Sequence, residues 1–451
     1  MSLLTELPDL LWRKFYRDAA PTALPRNVPC KERSLEASPY LPYLSGALLP
    51  GVAKDSGSLP RIRFPVGLKT SFRIQPSETM RILIATITAG GGHLQAAAAL
   101  NEAWLKAHPK DVVERLDLLS LFSPLHKKIY SDGYVKLIAH APKLWGMVFT
   151  KMDNPKLVQK LARWKKAIGS NSSRKFARFV KQFAPDVVLC THYLPVELLG
   201  GLRKKWPGPP PLTVCIVTDF EAHALWMEPD VDLYCVASEE TKARLVARGA
   251  AAEHVMATGI PISAKFSAPI EAAAVRKRYG LRDDLPVLLV LSGGFGMGPV
   301  AQILAAMDQI ERPFQTLVVA GRNEQLRRDL ASQDRRHPTH VLGFVTNMHE
   351  LMAVADLLVT KPGGLTTSEA LAMGKPLFIL NPIPGQEAAN SDFLLQRGAA
   401  VKVNSVDDLP FQLDQLLGSK KLVAMARAAK ALGRPAAAAD ICRAVTERIK
   451  P

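Results

Sequence analysis

Cysteine is scarce: Cys30, Cys190, Cys215, Cys235 and Cys442 are scattered through 451 residues, with no Cys-x-x-Cys pair and no Cys/His cluster at zinc spacing. That excludes a disulfide scaffold or a structural zinc module and fits a reducing compartment. No segment reads as a membrane span. The longest uncharged stretch, Leu285 to Met307, is interrupted by Pro286, Pro299 and four glycines, so it reads as strand, loop and helix. The opening residues carry Glu6, Asp9, Arg13 and Lys14 where a secretory leader would be apolar, so any membrane contact is expected to be peripheral. Acidic residues are also in deficit, 41 against 58 basic, for a net charge of +17. Nucleic acid, an anionic membrane and a phosphorylated substrate would each suit that surplus. No nucleic-acid-binding module is recognisable.

What is present is a large globular chain. With 48% hydrophobic and 22% charged residues it can bury a substantial core, and its length implies two or three compact units. Residues 1–79 stand apart. Leu3, Leu4, Leu7, Leu10, Leu11 and Phe15 can line one face of a short amphipathic helix, followed by an irregular tether rich in Pro, Ser and Gly. From Met80 short apolar runs alternate with helical segments. Strands are expected over 82–87, 187–191, 213–218, 233–236 and 254–258, then over 287–292, 315–320, 341–342, 357–360 and 376–380. The α/β alternation predicts two Rossmann-like domains with parallel sheets facing a central cleft, 80–269 and 270–451, with ligands at the carboxyl ends of the strands.

Four glycine- or proline-rich turns follow strands. Gly90, Gly91, Gly92 and His93 precede a helical run; glycines admit close approach to a ligand, and a cleft-facing imidazole suits proton abstraction from a hydroxyl. An incidental histidine in a tight turn would give the same spacing. The run Ser292 to Gly298, including Gly293 and Gly294, can seat a diphosphate or simply turn the chain, and it lacks a Walker Gly-Lys-Ser/Thr ending. Lys361, Gly363, Gly364, Thr366 and Glu369 can present N–H groups to phosphate with Glu369 on ribose hydroxyls, although Thr366 and Glu369 also have capping-box spacing. Gln386, Glu387 and Asn390 follow a Pro-stiffened turn, either as a grip on sugar hydroxyls or as an ordinary helix start. Asp219 lies after another strand and suits either orientation of a base or a helix cap. Finally, Lys127 to Lys181 carries 14 Lys/Arg against Asp132 and Asp153, with Trp145, Phe149 and aliphatics interleaved, and the first domain holds +9 of the net charge. Such a run fits docking on anionic lipid better than a solvated helix face.

Taken together, GGGH, the run VTDFEAHALWMEPDVDLYCVASEE, TGIPI, LSGGFGMG, AGRNEQL, LGFV, KPGGLTTSEALAMGKP and NPIPGQEAAN resemble the monogalactosyldiacylglycerol synthases and bacterial diacylglycerol glucosyltransferases, relatives of MurG, over roughly 80–403. The resemblance implies a GT-B fold and inverting transfer of a hexose from UDP-glucose or UDP-galactose to diacylglycerol, without cofactor or active-site metal, on the cytoplasmic side of a membrane. It implies His93 as base and diphosphate contacts from Gly293, Gly294, Gly363, Gly364 and Thr366; beside these, Asp219 is expected to orient the base or the acceptor, Gly91 and Gly92 to bind the donor, and Lys361 to face the charge that develops on UDP. Arg322, Phe344 and Val345 fall on the uracil side, Glu369 on ribose, and Gln386 and Glu387 on the hexose, with Asn390 expected among the donor-binding residues. The alternatives are a MurG-like transferase to a polyprenyl-linked acceptor, a soluble UDP-sugar epimerase, and a nonenzymatic nucleotide-sugar or lipid binder.

Overall fold

A computed structural model describes residues 79–88, 91–123, 127, 141–154, 170–203, 205–293, 298–380 and 382–449. The expected N-terminal helix and tether, Gly90, Gly294 and about half of the basic run lie outside them. The described residues form two six-stranded parallel sheets. The first contains β1 (Arg81–Thr86), β2 (Val112–Asp117), β3 (Val187–Cys190), β4 (Leu212–Ile216), β5 (Leu233–Cys235) and β6 (Val255–Met256) in the order β2-β1-β3-β4-β5-β6. Its helices are α1 (Gly91–Ala107), α2 (Pro142–Met152), α3 (Ser170–Phe183), α4 (Tyr193–Arg203) and α5 (Glu239–Ala247).

After α6 (Ala272–Arg278) the second sheet contains β7 (Val287–Leu291), β8 (Gln315–Val319), β9 (Thr339–Leu342), β10 (Leu357–Thr360), β11 (Leu377–Leu380) and β12 (Ala400–Val403), in the order β12-β11-β10-β7-β8-β9. Helices α7 (Val300–Met307), α8 (Glu324–Ala331), α9 (Met348–Val354), α10 (Gly364–Ala372), α11 (Gln386–Gln396), α12 (Leu409–Leu416), α13 (Lys420–Leu432) and α14 (Ala437–Ile449) complete it.

The strands form where the sequence is apolar on both faces, as a parallel sheet covered by helices requires: β4 and β8 are buried at every residue. Each of the ten expected strands overlaps an observed one. The two unexpected strands, β2 (VVERLD) and β12 (AVKV), lie at sheet edges, where partial exposure admits charge and shortens the apolar run.

Strand order places the clefts. β1 lies between β2 and β3, and β7 between β8 and β10, so the connections leave each of these pivotal strands in opposite directions. That reversal opens a crevice beyond the carboxyl ends of β1/β3 and of β7/β10. The two halves share one apolar core: Ala96 and Phe220 of the first cluster with Leu365 and Leu394 of the second, and the Phe220 and Phe393 ring centroids are 4.5 Å apart. The last helix crosses back. Ile441, Cys442 and Val445 of α14 are buried with Ile82, Trp104 and Val214 of the first sheet. The outward and returning crossings touch one another, since a Cβ on Gly259 (φ +92°) would lie 2.5 Å from Cβ of Arg434.

Candidate active site

His93 lies in the first turn of α1, directly beyond β1. Its Nδ1 lies 2.8 Å from the carbonyl oxygen of Thr191, which follows β3 across the crevice. A carbonyl only accepts, so Nδ1 carries the proton and Nε2 keeps its lone pair. The Thr218 hydroxyl, beyond β4, is 3.0 Å from the same Nδ1. Thr191 Oγ1 ties the assembly down, lying 2.9 Å from Thr86 Oγ1 and 3.2 Å from the His93 carbonyl. The His192 ring packs edge-on at 4.8 Å. Burial pushes the imidazole down to about 4, only partly offset by the Thr191 carbonyl, so it is neutral throughout the neutral pH range. His93 is therefore a fixed tautomer with its basic nitrogen unspent. The topology brings together Thr191 and Thr218, which stand at strand ends distant in sequence; Thr218 opens the run TDFEAHALW, but nothing local to either residue tells of the imidazole they share.

Opposite stands α10, capped by Gly363 without any side-chain bond. The N–H groups of its first turn are thus left for a ligand, and the helix amino end favours an anion. Thr366 and Glu369 lie inside this helix, so the capping-box alternative does not form. Helices α1 and α10 meet at their amino ends: a Cβ on Gly92 would touch Cβ of Leu365 at 3.7 Å, and one on Gly364 would overlap the Thr218 carbonyl oxygen at 2.0 Å. Gly91 has open space around it. Glu369 is half-buried, and desolvation pushes its carboxyl up to about 8.

The remaining expected residues line the same edge of the second sheet. Gly293, just past β7, has φ +76° and space where a Cβ would be. Beyond β8 and β9, Arg322 lies over the Phe344 ring at 5.0 Å, and both are exposed, while Val345 is partly buried against the core. Beyond β11, Gly385 (φ +97°) starts α11, with Gln386 as its first residue. Glu387 accepts from the Ile383 N–H at 2.7 Å, which closes the turn. Burial pushes the Glu387 carboxyl up, and the charge of Lys361 and that N–H work against it.

Asn390 is wholly buried and joins the halves. Its Oδ1 accepts from the Phe220 N–H at 2.9 Å, and its Nδ2 donates to the Pro362 carbonyl at 3.0 Å and to Asp219 Oδ1 at 3.3 Å. Its amide is thereby spent on protein groups. Asp219 caps no helix; the 3₁₀ turn that follows is capped by His223, which accepts from the Leu225 N–H at 3.1 Å. Burial pushes Asp219 up to about 6 against the Asn390 bond.

Comparison with known proteins gives the family. The profile described as monogalactosyldiacylglycerol (MGDG) synthase matches residues 93–262, and that of glycosyl transferases group 1 matches 272–432. A processive diacylglycerol β-glucosyltransferase of Bacillus cereus is 31% identical over 79% of this chain and 90% of its own length. This chain belongs to that family. A Bacillus thuringiensis member is likewise 31% identical, over 81% of this chain and 93% of its own. Among solved structures, Acinetobacter baumannii MurG superposes with TM-score 0.53 at 17% identity, covering 81% of this chain and 99% of its own. MnaA of Staphylococcus aureus gives 0.54 at 13% identity, covering 82% and 98%. These likenesses bear out the GT-B fold; transferases and epimerases share it, so the fold alone does not choose the reaction.

Proposed function

We propose that this chain transfers a hexose from a UDP-sugar to the free hydroxyl of 1,2-diacylglycerol, with inversion, giving a β-glycosyldiacylglycerol. The observation that carries the reading is the fixed tautomer of His93 at the meeting point of two helix amino ends. The acceptor oxygen attacks the anomeric carbon, its proton passes to His93 Nε2, and the bond from that carbon to the β-phosphate oxygen breaks, leaving UDP with the electron pair. Asp219, beside Thr218, orients this side of the cleft. Charge developing on UDP is met by the amino end of α10, by Gly363, Gly364 and Thr366, by the Gly293 turn with Gly294, and by Lys361. Gly91 and Gly92 keep the opposite wall free of side chains. Glu369 receives the ribose, Arg322, Phe344 and Val345 the uracil, and Gln386 and Glu387 the hexose. The co-substrate supplies the chemistry, and this scheme routes no step through a metal.

We assign 80–269 to the acceptor and membrane, 270–451 to the donor, and 1–79 to an extension. The protein works peripherally on an anionic membrane, on its cytoplasmic side, through the Lys127–Lys181 region. In support, α3 buries Phe176 and Val180 while exposing Lys175, Arg178 and Lys181. No helix among the described residues is long and apolar enough to cross a membrane. The names of the relatives favour UDP-glucose over UDP-galactose as donor. Sequence kinship with diacylglycerol transferases favours this reaction over a polyprenyl acceptor, epimerisation or simple binding. The test is a panel of UDP-sugars with diacylglycerol vesicles, reading released UDP and lipid product together. Glycolipid formed in step with UDP supports the assignment, and UDP release without glycolipid refutes it.

A further inference from the structure

Helix α2 belongs to the first half yet bears on the turn that carries Gln386 and Glu387. Its anchorage is firm. The carbonyl of Phe149 faces His223 Nε2 at 2.8 Å, and the two rings are in contact with centroids 4.0 Å apart and planes inclined by 38°. His223 Nδ1 accepts from the Leu225 N–H, so Nε2 carries the proton that reaches this carbonyl. One turn later Asp153 grips Arg248 through both oxygens, at 2.7 and 2.6 Å, and accepts the Ala224 N–H at 2.8 Å.

From this fixed base α2 reaches across the cleft. A Cβ on Gly146 would lie 2.6 Å from Cβ of Pro384, and one on Gly385 would lie 2.6 Å from Cδ1 of Phe149. Two glycines, one in each half, therefore permit a contact that any side chain would block. Gly385 also has φ +97°, a conformation that glycine adopts most readily, so the backbone there is shaped to receive the Phe149 ring. Phe149 is 8% exposed, so the ring is enclosed between His223 and the turn.

We propose that Phe149 and Gly146 are positioning residues for the donor hexose: they set the Pro384–Gln386 turn from the opposite half of the molecule. The proposal rests on the reading of Gln386 and Glu387 as hexose contacts. The diphosphate and uracil sides of the cleft are built from other turns, so the effect is confined to the sugar. Donor-sugar recognition is then complete only when the two halves are together.

Calorimetric binding of UDP and of UDP-glucose to the full chain tests this. Phe149→Ala is expected to weaken UDP-glucose about tenfold while changing UDP by less than about twofold, with Phe149→Leu recovering most of the loss. Gly146→Val, which wedges against Pro384, is expected to act in the same direction, and Met147→Ala, on the exposed face of the same helix, to change neither ligand. Equal weakening of both ligands by Phe149→Ala, or no weakening, overturns the proposal. Should that variant fail to fold, Gly146→Ala, whose added Cβ would lie 2.6 Å from Cβ of Pro384, carries the same comparison of UDP-glucose with UDP. Gln386→Ala and Glu387→Ala separate the two levels of inference. If they reduce the preference for UDP-glucose over UDP and the α2 variants do not, this proposal alone fails; if they leave it intact, the hexose reading fails and takes this proposal with it.

Discussion

The side chain of Asn390 accepts the backbone N–H of Phe220 at 2.9 Å, a hydrogen bond formed between the two halves of the molecule. Both groups are buried, and the same amide donates to the Pro362 carbonyl. Asn390→Ala leaves a buried N–H and a buried carbonyl unpaired in the closed form, a cost of about 1–3 kcal/mol for each group. We expect a larger radius of gyration by small-angle scattering and a lower transfer rate. Asn390→Asp keeps an acceptor but sets a second carboxyl beside Asp219. Its activity is expected to recover partly as pH falls, and from above the native Asp219 value of about 6, because the Asn390 bond that holds that carboxyl down is gone and a like charge is added.

His93→Ala removes the imidazole whose Nδ1 is fixed by Thr191 and whose Nε2 is left for a proton at the β1/β3 crevice. Transfer is expected to fall by about 10²–10⁴ while the dissociation constant for UDP stays within about twofold. Single-turnover kinetics with titration of UDP separates the two. Joint loss of transfer and UDP binding would give His93 a donor-binding or structural role. Because its native value is held near 4, below the ordinary 6.5, His93 contributes stability above pH 6.5 that is lost as pH falls toward 4.

Glu369 has the opposite sign. Its native carboxyl is held near 8, above the ordinary 4.5, so its contribution to stability is present below pH 4.5 and lost as pH rises through 8. Ribose hydroxyls donate best to the ionised form. UDP is therefore expected to bind about tenfold more tightly at pH 9 than at pH 7. Glu369→Gln should abolish that pH dependence, and a wild-type profile flat across this range would remove Glu369 from the ribose site.

The basic face of α3 predicts a preference among membranes. Sedimentation with anionic vesicles should exceed that with neutral ones and fall at high salt. Reversing charge at Lys175 and Arg178 together should reduce it about tenfold or more, since each basic residue near such a surface contributes about 1 kcal/mol. Equal binding to both vesicle types would place the lipid contact elsewhere.

Much of the architecture was legible because a parallel sheet must write itself in apolar runs. β4 and β8 are buried from end to end and cannot be disguised. β2 and β12 escaped because an edge strand tolerates the Glu114 and Lys402 that a central strand would reject. The glycine turns were legible for a similar reason, as close approach leaves no room for a side chain. Partnerships across the fold were not. Thr191 and Thr218 converge on one imidazole nitrogen only through strand order, and nothing in the run PGQEAAN reveals that Asn390 turns toward Phe220. The seat of α2 against Gly385 is equally silent in sequence, because an in-helix glycine such as Gly146 reads locally only as a weak point.

The return of α14 to the first sheet has a mechanical meaning. Two passages of chain, lying side by side where Gly259 meets Arg434, join the halves. A single linker would let them swivel freely, whereas a paired one resists torsion and yields mainly by bending. Opening to admit the donor should then follow a narrow arc, and each closure should return His93 to the same place above the nucleotide. The same thread ties assembly to completion: the first half lacks part of its wall until the polypeptide has run through the second.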